Sequence, residues 1–183
     1  MQEGHLKRVR GIIRTSYQNE ELYPLFLRKK KDGPTQWRGW EFLKGGIKPN
    51  ESPLEAMFRE FEEETGLNSQ AIENKIYSLD IPKNVIKRRG KKKGQVEVIK
   101  TYLIDMPYVD KRLIRIDPEE HEKVEYFDRV DVIFKLLNNL KKGLIMDFFA
   151  FKESLVMLEH YEHEKFMSDI YSKTLVDKII PDL

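Results

Sequence analysis

Between Ser52 and Gly66 the chain carries a helix specified at both ends and on two faces. Ser52 is a good N-cap. Pro53 stands at the first helical position, where its missing N–H costs nothing, and Glu55 completes a capping box with Ser52. Gly66 ends the helix as the residue that turns the chain through the left-handed region. Leu54, Met57, Phe58 and Phe61 recur at i, i+3, i+4 and i+7, which predicts one buried stripe. A helix so marked needs an apolar surface to lie on, and the flanking segments read as strands that can supply it.

Upstream, two strand-like runs lie around Val9–Arg14 and Glu21–Arg28, separated by polar Thr15–Glu20. Residues Lys29–Arg38 form a charged loop with Gly33-Pro34, and Trp40–Lys44 alternates apolar and charged residues as a short strand does. Downstream, Ile76–Arg89 and Gln95–Ile104 read as strands joined by a basic tip between Gly90 and Gly94. After a charged loop, Asp117–Lys123, comes a last strand at Val124–Phe127. From Asp128 the apolar period changes to that of a helix, with Val130, Ile133, Phe134, Leu137 and Leu140, and it stops near Gly143. Residues 144–183 stay helical in pattern. The expectation is therefore an α/β (α+β) unit over residues 1–143 with a C-terminal helical extension over 144–183 packed on it.

The helix also has a chemical face. Glu60, Glu63 and Glu64 are spaced i, i+3, i+4 and so lie together, with small Ala56 one turn before Glu60. Like charges crowded this way repel, and a divalent cation among them relieves the repulsion. Carboxylate oxygen is the donor that Mg²⁺ and Mn²⁺ prefer. Arg59 is placed to pin a carboxylate through a bidentate pair. Taken alone, such an acidic run is more often a solvated helix face.

The spacing around it is more specific. Residues 45–67 resemble the Nudix box: Gly, five residues, Glu, seven residues, then Arg-Glu-aliphatic-x-Glu-Glu-x-Gly-aliphatic. Gly45, Glu51, Arg59, Glu60, Glu63, Glu64 and Gly66 fall in register, with Phe61 and Leu67 at the apolar places. The preceding Trp40–Lys44 resembles the run that leads into the box in many members, except that Leu43 stands where Pro is usual. The resemblance implies the Nudix fold, a mixed β-sheet sandwiched between helices. It implies hydrolysis of a pyrophosphate bond in a nucleoside diphosphate linked to another moiety, with Mg²⁺ or Mn²⁺. By position, Glu60, Glu63 and Glu64 would hold metal, joined by a backbone carbonyl around Gly45. Glu51, Arg59 and Gly66 would support the box. Such enzymes commonly use one more carboxylate from a loop outside it. Here Glu119, Glu120 and Glu122 are available, and Glu120 best matches the position used by RNA pyrophosphohydrolase-like members.

Substrate is less constrained. Lys87, Arg88, Arg89, Lys91, Lys92 and Lys93 crowd one hairpin tip. They suit a long polyanion such as a dinucleoside polyphosphate, a nucleoside polyphosphate or an RNA 5′ end, or else they are a solvated turn. Arg88, Lys91, Lys92, Lys93 and Lys44 are the candidate substrate contacts. Pro82 lies about where ADP-ribose hydrolases carry a Pro, so an ADP-ribose-type nucleotide sugar is an alternative substrate. A non-catalytic nucleotide-binding module is the other alternative, although such modules usually lose box glutamates that this chain keeps. Trp40 and Tyr102 are expected in the core rather than stacked on a base.

Composition closes other routes. The chain of 183 residues has no cysteine, which excludes disulfides, thiolate-bound metal, thiol nucleophiles and the cysteine-dependent isomerases built on this fold. With 33 Lys+Arg against 31 Asp+Glu, attraction for anions must come from local clusters. No apolar run approaches the roughly 20 residues that span a bilayer, and Met1–Arg10 lacks the apolar core of a signal peptide. A cytoplasmic protein is expected, with a homodimer through the C-terminal helices as one role for residues 144–183.

Overall fold

The computed structural model describes residues 6–29, 39–79, 84–86 and 96–140, together with Phe151, Lys152, Leu155, Val156 and Glu159. Among the described residues eight strands form a mixed sheet with one of two helices on each side. The strands are β1 (Leu6–Tyr17), β2 (Glu20–Arg28), β3 (Trp40–Glu41), β4 (Leu43–Gly46), β5 (Ile76–Leu79), β6 (Asn84–Ile86), β7 (Val96–Asp105) and β8 (His121–Phe127). The helices are α1 (Pro53–Thr65) and α2 (Arg129–Leu140). Strand β1 is the spine. It runs parallel to β7 from Leu6↔Glu97 to Arg14↔Asp105, and antiparallel to β4 and to the start of β2. β5 and β6 extend the β7 side, while β3 and β8 flank β2.

Several boundaries differ from the sequence reading. The polar spacer Thr15–Glu20 shrinks to two residues, because Gln18 (φ 53°) and Asn19 (φ 68°) both take the positive φ that a type I′ hairpin turn requires. Trp40–Lys44 is not one strand. It splits into β3 on β2 and β4 on β1, and so bridges the two halves of the sheet. The expected loop through Lys123 ends earlier, because β8 already starts at His121. Within Ile76–Arg89 the described residues form strand over Ile76–Leu79 and Asn84–Ile86, both antiparallel to β7.

The alternation of β1 builds two cores. Val9 and Ile13 face α1 with Phe26, Leu43, Met57, Phe61 and Ile104, whereas Ile12 faces α2 with Leu25, Phe42, Leu103, Val132 and Leu136. Gly11 lets α1 approach closely, since a Cβ there would sit 3.1 Å from both Met57 Cε and Ile104 Cδ1. Phe151 also enters the second core, edge-on to Tyr23 with ring centroids 5.0 Å apart. Tyr102 is buried, and Trp40 is half-buried edge-on to Phe127, as core residues rather than exposed stacking platforms. Among the described side chains of α2, Val132 and Leu136 are buried, while Val130 and Phe134 from the expected apolar period are exposed. Among the described residues no helix is long and apolar enough to cross a membrane.

The caps of α1 form as its sequence dictates. Ser52 Oγ accepts from the Glu55 amide at 3.2 Å, and Glu55 Oε2 accepts from the Ser52 amide at 2.7 Å. Gly66 closes the helix at φ 66° and donates its amide to the Glu62 carbonyl at 2.9 Å. A side chain at Gly66 meets two penalties: the left-handed backbone, and an Arg115 Cβ only 2.8 Å from the new methyl. Gly66→Ala is expected to lower the unfolding free energy by at least about 1 kcal/mol. A denaturant titration showing an unchanged midpoint would contradict this.

Candidate active site

Strand β4 runs directly into the loop before α1, and this brings Gly45 under the helix. Gly45 pairs with Val9 on the α1 side of the sheet. The Glu60 carboxylate lies flat against it, so any Cβ at Gly45 would overlap that carboxylate. The loop is pinned at Ile47, whose amide donates to the Lys7 carbonyl at 3.1 Å, and at Asn50, which turns it with φ 65°.

Arg59 is the hub. Its Nε and Nη2 form a bidentate pair with Glu51 at 2.7 and 3.0 Å, and Nη2 also donates to the Gly46 carbonyl at 2.7 Å. Its Nη1 donates to Glu60 Oε1 at 2.7 Å and Glu63 Oε2 at 2.8 Å. Glu51 in turn accepts the Lys48 amide at 2.8 Å. Hydrogen bonds from Arg59, then from the Lys48 amide, hold the Glu51 carboxyl down at about 2. The hydrogen bond to Glu51, then those to Glu60 and Glu63, hold the Arg59 guanidinium charged more firmly than usual, against the effect of burial. The bidentate pair of Arg59 falls on Glu51 of the loop, and it ties the loop to the helix.

The three glutamates do not share one environment. The Glu63 side chain is 53% exposed, with Lys48 Nζ at 3.6 Å. Glu60 is half-buried between Gly45 and Arg59. Glu64 is buried, and its Oε2 finds no hydrogen-bond partner among the described residues. It lies three residues after Phe61 and seven after Met57, on the face that enters the core, whereas Leu54, expected in that stripe, is 40% exposed. Burial, then the negative charges of Glu41, Glu60 and Glu120, push the Glu64 carboxyl up to about 9, against an opposing pull from Lys44.

Glu120 occupies a turn whose carbonyl accepts the Lys29 amide at 2.7 Å, and its charge acts on Glu64. The structure thus brings Glu120 into the same electrostatic neighbourhood as Glu60, Glu64 and Lys44. Glu119 and Glu122 are exposed beside it. Lys44 is held by Glu41, with Nζ 2.6 Å from Oε2. Glu41 and His121, which the sequence reading passed over, are both buried here, and His121 Nε2 lies 3.3 Å from Glu41 Oε1. The signal for Glu41 is an acid set between Trp40 and Phe42 in a strand too short to have a solvated face. Arg88, Lys91, Lys92 and Lys93 lie outside the described residues.

The donor set fits a hard divalent cation. It offers carboxylate oxygens, one of them buried and unpartnered, around a backbone stripped of side chain at Gly45. No three His, Asp or Glu side chains converge on one point among the described residues. Arg59 Nη1 instead takes up one oxygen each of Glu60 and Glu63. A cation would compete with Arg59 for those oxygens.

Comparison with known proteins agrees with the geometry. A family model, NUDIX domain, matches residues 6–148. A Listeria monocytogenes protein assigned as a Nudix hydrolase superposes with a TM-score of 0.62 at 20% identity, covering 84% of this chain and 94% of that one. The Nudix domain of Shewanella oneidensis NrtR, in complex with ADP ribose, gives 0.62 at 18% identity, with 85% and 89% coverage. A Caenorhabditis elegans Ap4A hydrolase gives 0.54 at 19%, with 81% and 98% coverage. These likenesses are of fold. Together with the matched model, they mean that the chain belongs to the Nudix family, as a pyrophosphohydrolase.

Proposed function

We propose that this enzyme hydrolyses a pyrophosphate bond in a nucleoside diphosphate carrying a further phosphorylated group: a dinucleoside polyphosphate, a nucleoside polyphosphate or an RNA 5′ end. Nudix hydrolases generally use divalent metals, and the residues proposed to hold Mg²⁺ or Mn²⁺ are Glu60, Glu63 and Glu64, with the backbone at Gly45. The observation that carries this reading is Glu64. A buried carboxylate with an unpartnered oxygen, surrounded by other carboxylates, is a site short of positive charge. When bound, the cation neutralises the pyrophosphate and acidifies a water. The chain's own part is to hold that geometry. Arg59 fixes Glu60 and Glu63, Glu51 fixes Arg59, and Lys44 supplies positive charge at the mouth of the box.

Glu120 is proposed to take the proton from the attacking water, because its exposed side chain shares the field of Glu64 while staying outside the core. Glu120→Gln is then expected to lower kcat by at least about tenfold with KM changed less than about threefold. Loss confined to KM would remove this role.

The substrate is tested directly. The protein is mixed with Mg²⁺ or Mn²⁺ and a panel holding ADP-ribose, a dinucleoside tetraphosphate, a nucleoside triphosphate and a 5′-triphosphorylated RNA, and products are resolved by anion exchange. Preference for the longer polyanions, weakening as salt rises, supports the basic tip at Lys91, Lys92 and Lys93 as the contact. Preference for ADP-ribose supports the second reading, which the likeness to the ADP-ribose complex of NrtR favours. Failure to cleave any member in the presence of metal would sink both.

A further inference from the structure

Glu41 stands between Trp40 and Phe42 and is 2% exposed. Its carboxylate gathers three cationic or imidazole groups from three strands: Lys44 of β4 at 2.6 Å, Arg28 of β2 at 3.2 Å and His121 of β8 at 3.3 Å. A buried acid is tolerable only with such partners, and well-packed apolar residues often serve stability as well or better. Packing alone therefore gives no reason for an acid at this point. The positions of its partners do. Lys44 immediately precedes Gly45, against which Glu60 rests. His121 immediately follows Glu120. Arg28 precedes Lys29, whose amide donates to the Glu120 carbonyl at 2.7 Å and whose Nζ donates to the Pro118 carbonyl at 3.0 Å. Two segments far apart in the chain, the strand leading into the box and the turn bearing Glu120, are thus bonded to one carboxylate.

We propose that Glu41 is a positioning residue that sets the spacing between the Gly45–Glu60 side of the site and Glu120, so that water activation and metal binding stay in register. The inference rests on the roles assigned to Glu60, Glu64 and Glu120 above. Rate is sensitive to such spacing, because a displacement of about 1 Å in a reacting group can cost on the order of a hundredfold.

Glu41→Gln keeps the volume and one acceptor oxygen, and replaces the other with an amide that turns a donor toward Lys44 or His121. The amides of Lys29, Glu120 and His121 are all hydrogen bonded, to the Glu120 and Asp117 carbonyls, so their hydrogen exchange reports the turn. In the variant they are expected to exchange at least about tenfold faster, while the amides of α1 keep their wild-type rates. On the best substrate of the panel, kcat should fall at least about tenfold with KM and Mn²⁺ affinity, the latter read by electron paramagnetic resonance, held within about threefold. His121→Gln breaks the same link from its other end and is read the same way should Glu41→Gln not fold. Unchanged exchange at the turn overturns the proposal. So does a loss of kcat that comes with weakened Mn²⁺ binding and faster exchange throughout α1, which would mark a merely structural role. A wild type that cleaves nothing would overturn the functional reading instead, and the exchange measurement would still decide the place of Glu41.

Discussion

Glu64→Gln is expected to make the metal-free protein more stable and nearly inactive. Gln keeps the shape of the side chain and replaces a carboxyl that the metal-free site keeps protonated at neutral pH and that costs stability as it ionises. Activity should fall at least about a hundredfold, since a charge-neutralising metal contributes several kcal/mol to the transition state and would lose one of the anionic ligands proposed for it. The stability effect has a definite sign and pH dependence. Burial, then Glu41, Glu60 and Glu120, raise the Glu64 carboxyl from its ordinary 4.5 to about 9. A carboxyl raised in the folded state stabilises the fold fully below its unfolded value. That stability drains away as pH climbs from there toward the folded value, by up to about 1.4 kcal/mol per pH unit. Gln carries no such slope. In chelator, the melting temperature of the variant should therefore exceed that of wild type by a margin that widens between pH 5 and 8. Adding Mn²⁺ should raise the wild type by mass action and close the gap, with a smaller rise in the variant. A variant that melts lower than wild type at pH 8 in chelator would show that the buried carboxyl is needed for the fold. A wild type indifferent to Mn²⁺ would remove it from the metal site.

That prediction was half legible in the sequence. The helix itself could be read because its determinants are local: Ser52, Pro53, Glu55 and Gly66 act within one turn of the backbone, and each does in the structure what its chemistry dictates. The resemblance gave Glu51 and Arg59 supporting roles without saying that they would pair, and the structure joins them in a bidentate pair. The unequal burial of the three glutamates was not legible. Spacing says only that Glu60, Glu63 and Glu64 are neighbours. Which of them turns inward depends on where β1 and β4 lie, and the helix rotates so that Met57, Phe61 and Glu64 face the sheet while Leu54 is left outside. Glu41 was missed for a related reason. Alternation in Trp40–Lys44 marks a short strand and says nothing of which face is covered, and the segment breaks at Phe42 and pairs with a different strand on either side, so that Glu41 is buried. Strand ends failed wherever a neighbour decided them. His121 joins β8 because the end of β2 pairs with it, a contact that nothing in Asp117–Lys123 announces.

Gly45→Ala is expected to disable the site through one methyl group, with the fold left standing. Strand β4 cannot yield to the new Cβ. Gly45 is paired with Val9 in the middle of the sheet, and Leu43 beside it is wholly buried against Met57 and Phe61. The Glu60 carboxylate occupies the position the Cβ requires, so Glu60 must swing away and surrender the 2.7 Å bond from Arg59. The end of a flexible side chain absorbs the clash, and the unfolding free energy should change by less than about 1 kcal/mol. Turnover should nevertheless drop at least about tenfold, and Mn²⁺ affinity with it, because the carboxylate proposed to hold metal has left its place. Gly46 supplies the internal control. It is the next residue, it lacks a positive φ, and a Cβ there meets nothing within 4 Å. Gly46→Ala should therefore be clearly milder than Gly45→Ala in both turnover and Mn²⁺ affinity. Equal losses in the two variants would mean that loop stiffness, rather than the seat Gly45 provides for Glu60, is what the pair of glycines contributes.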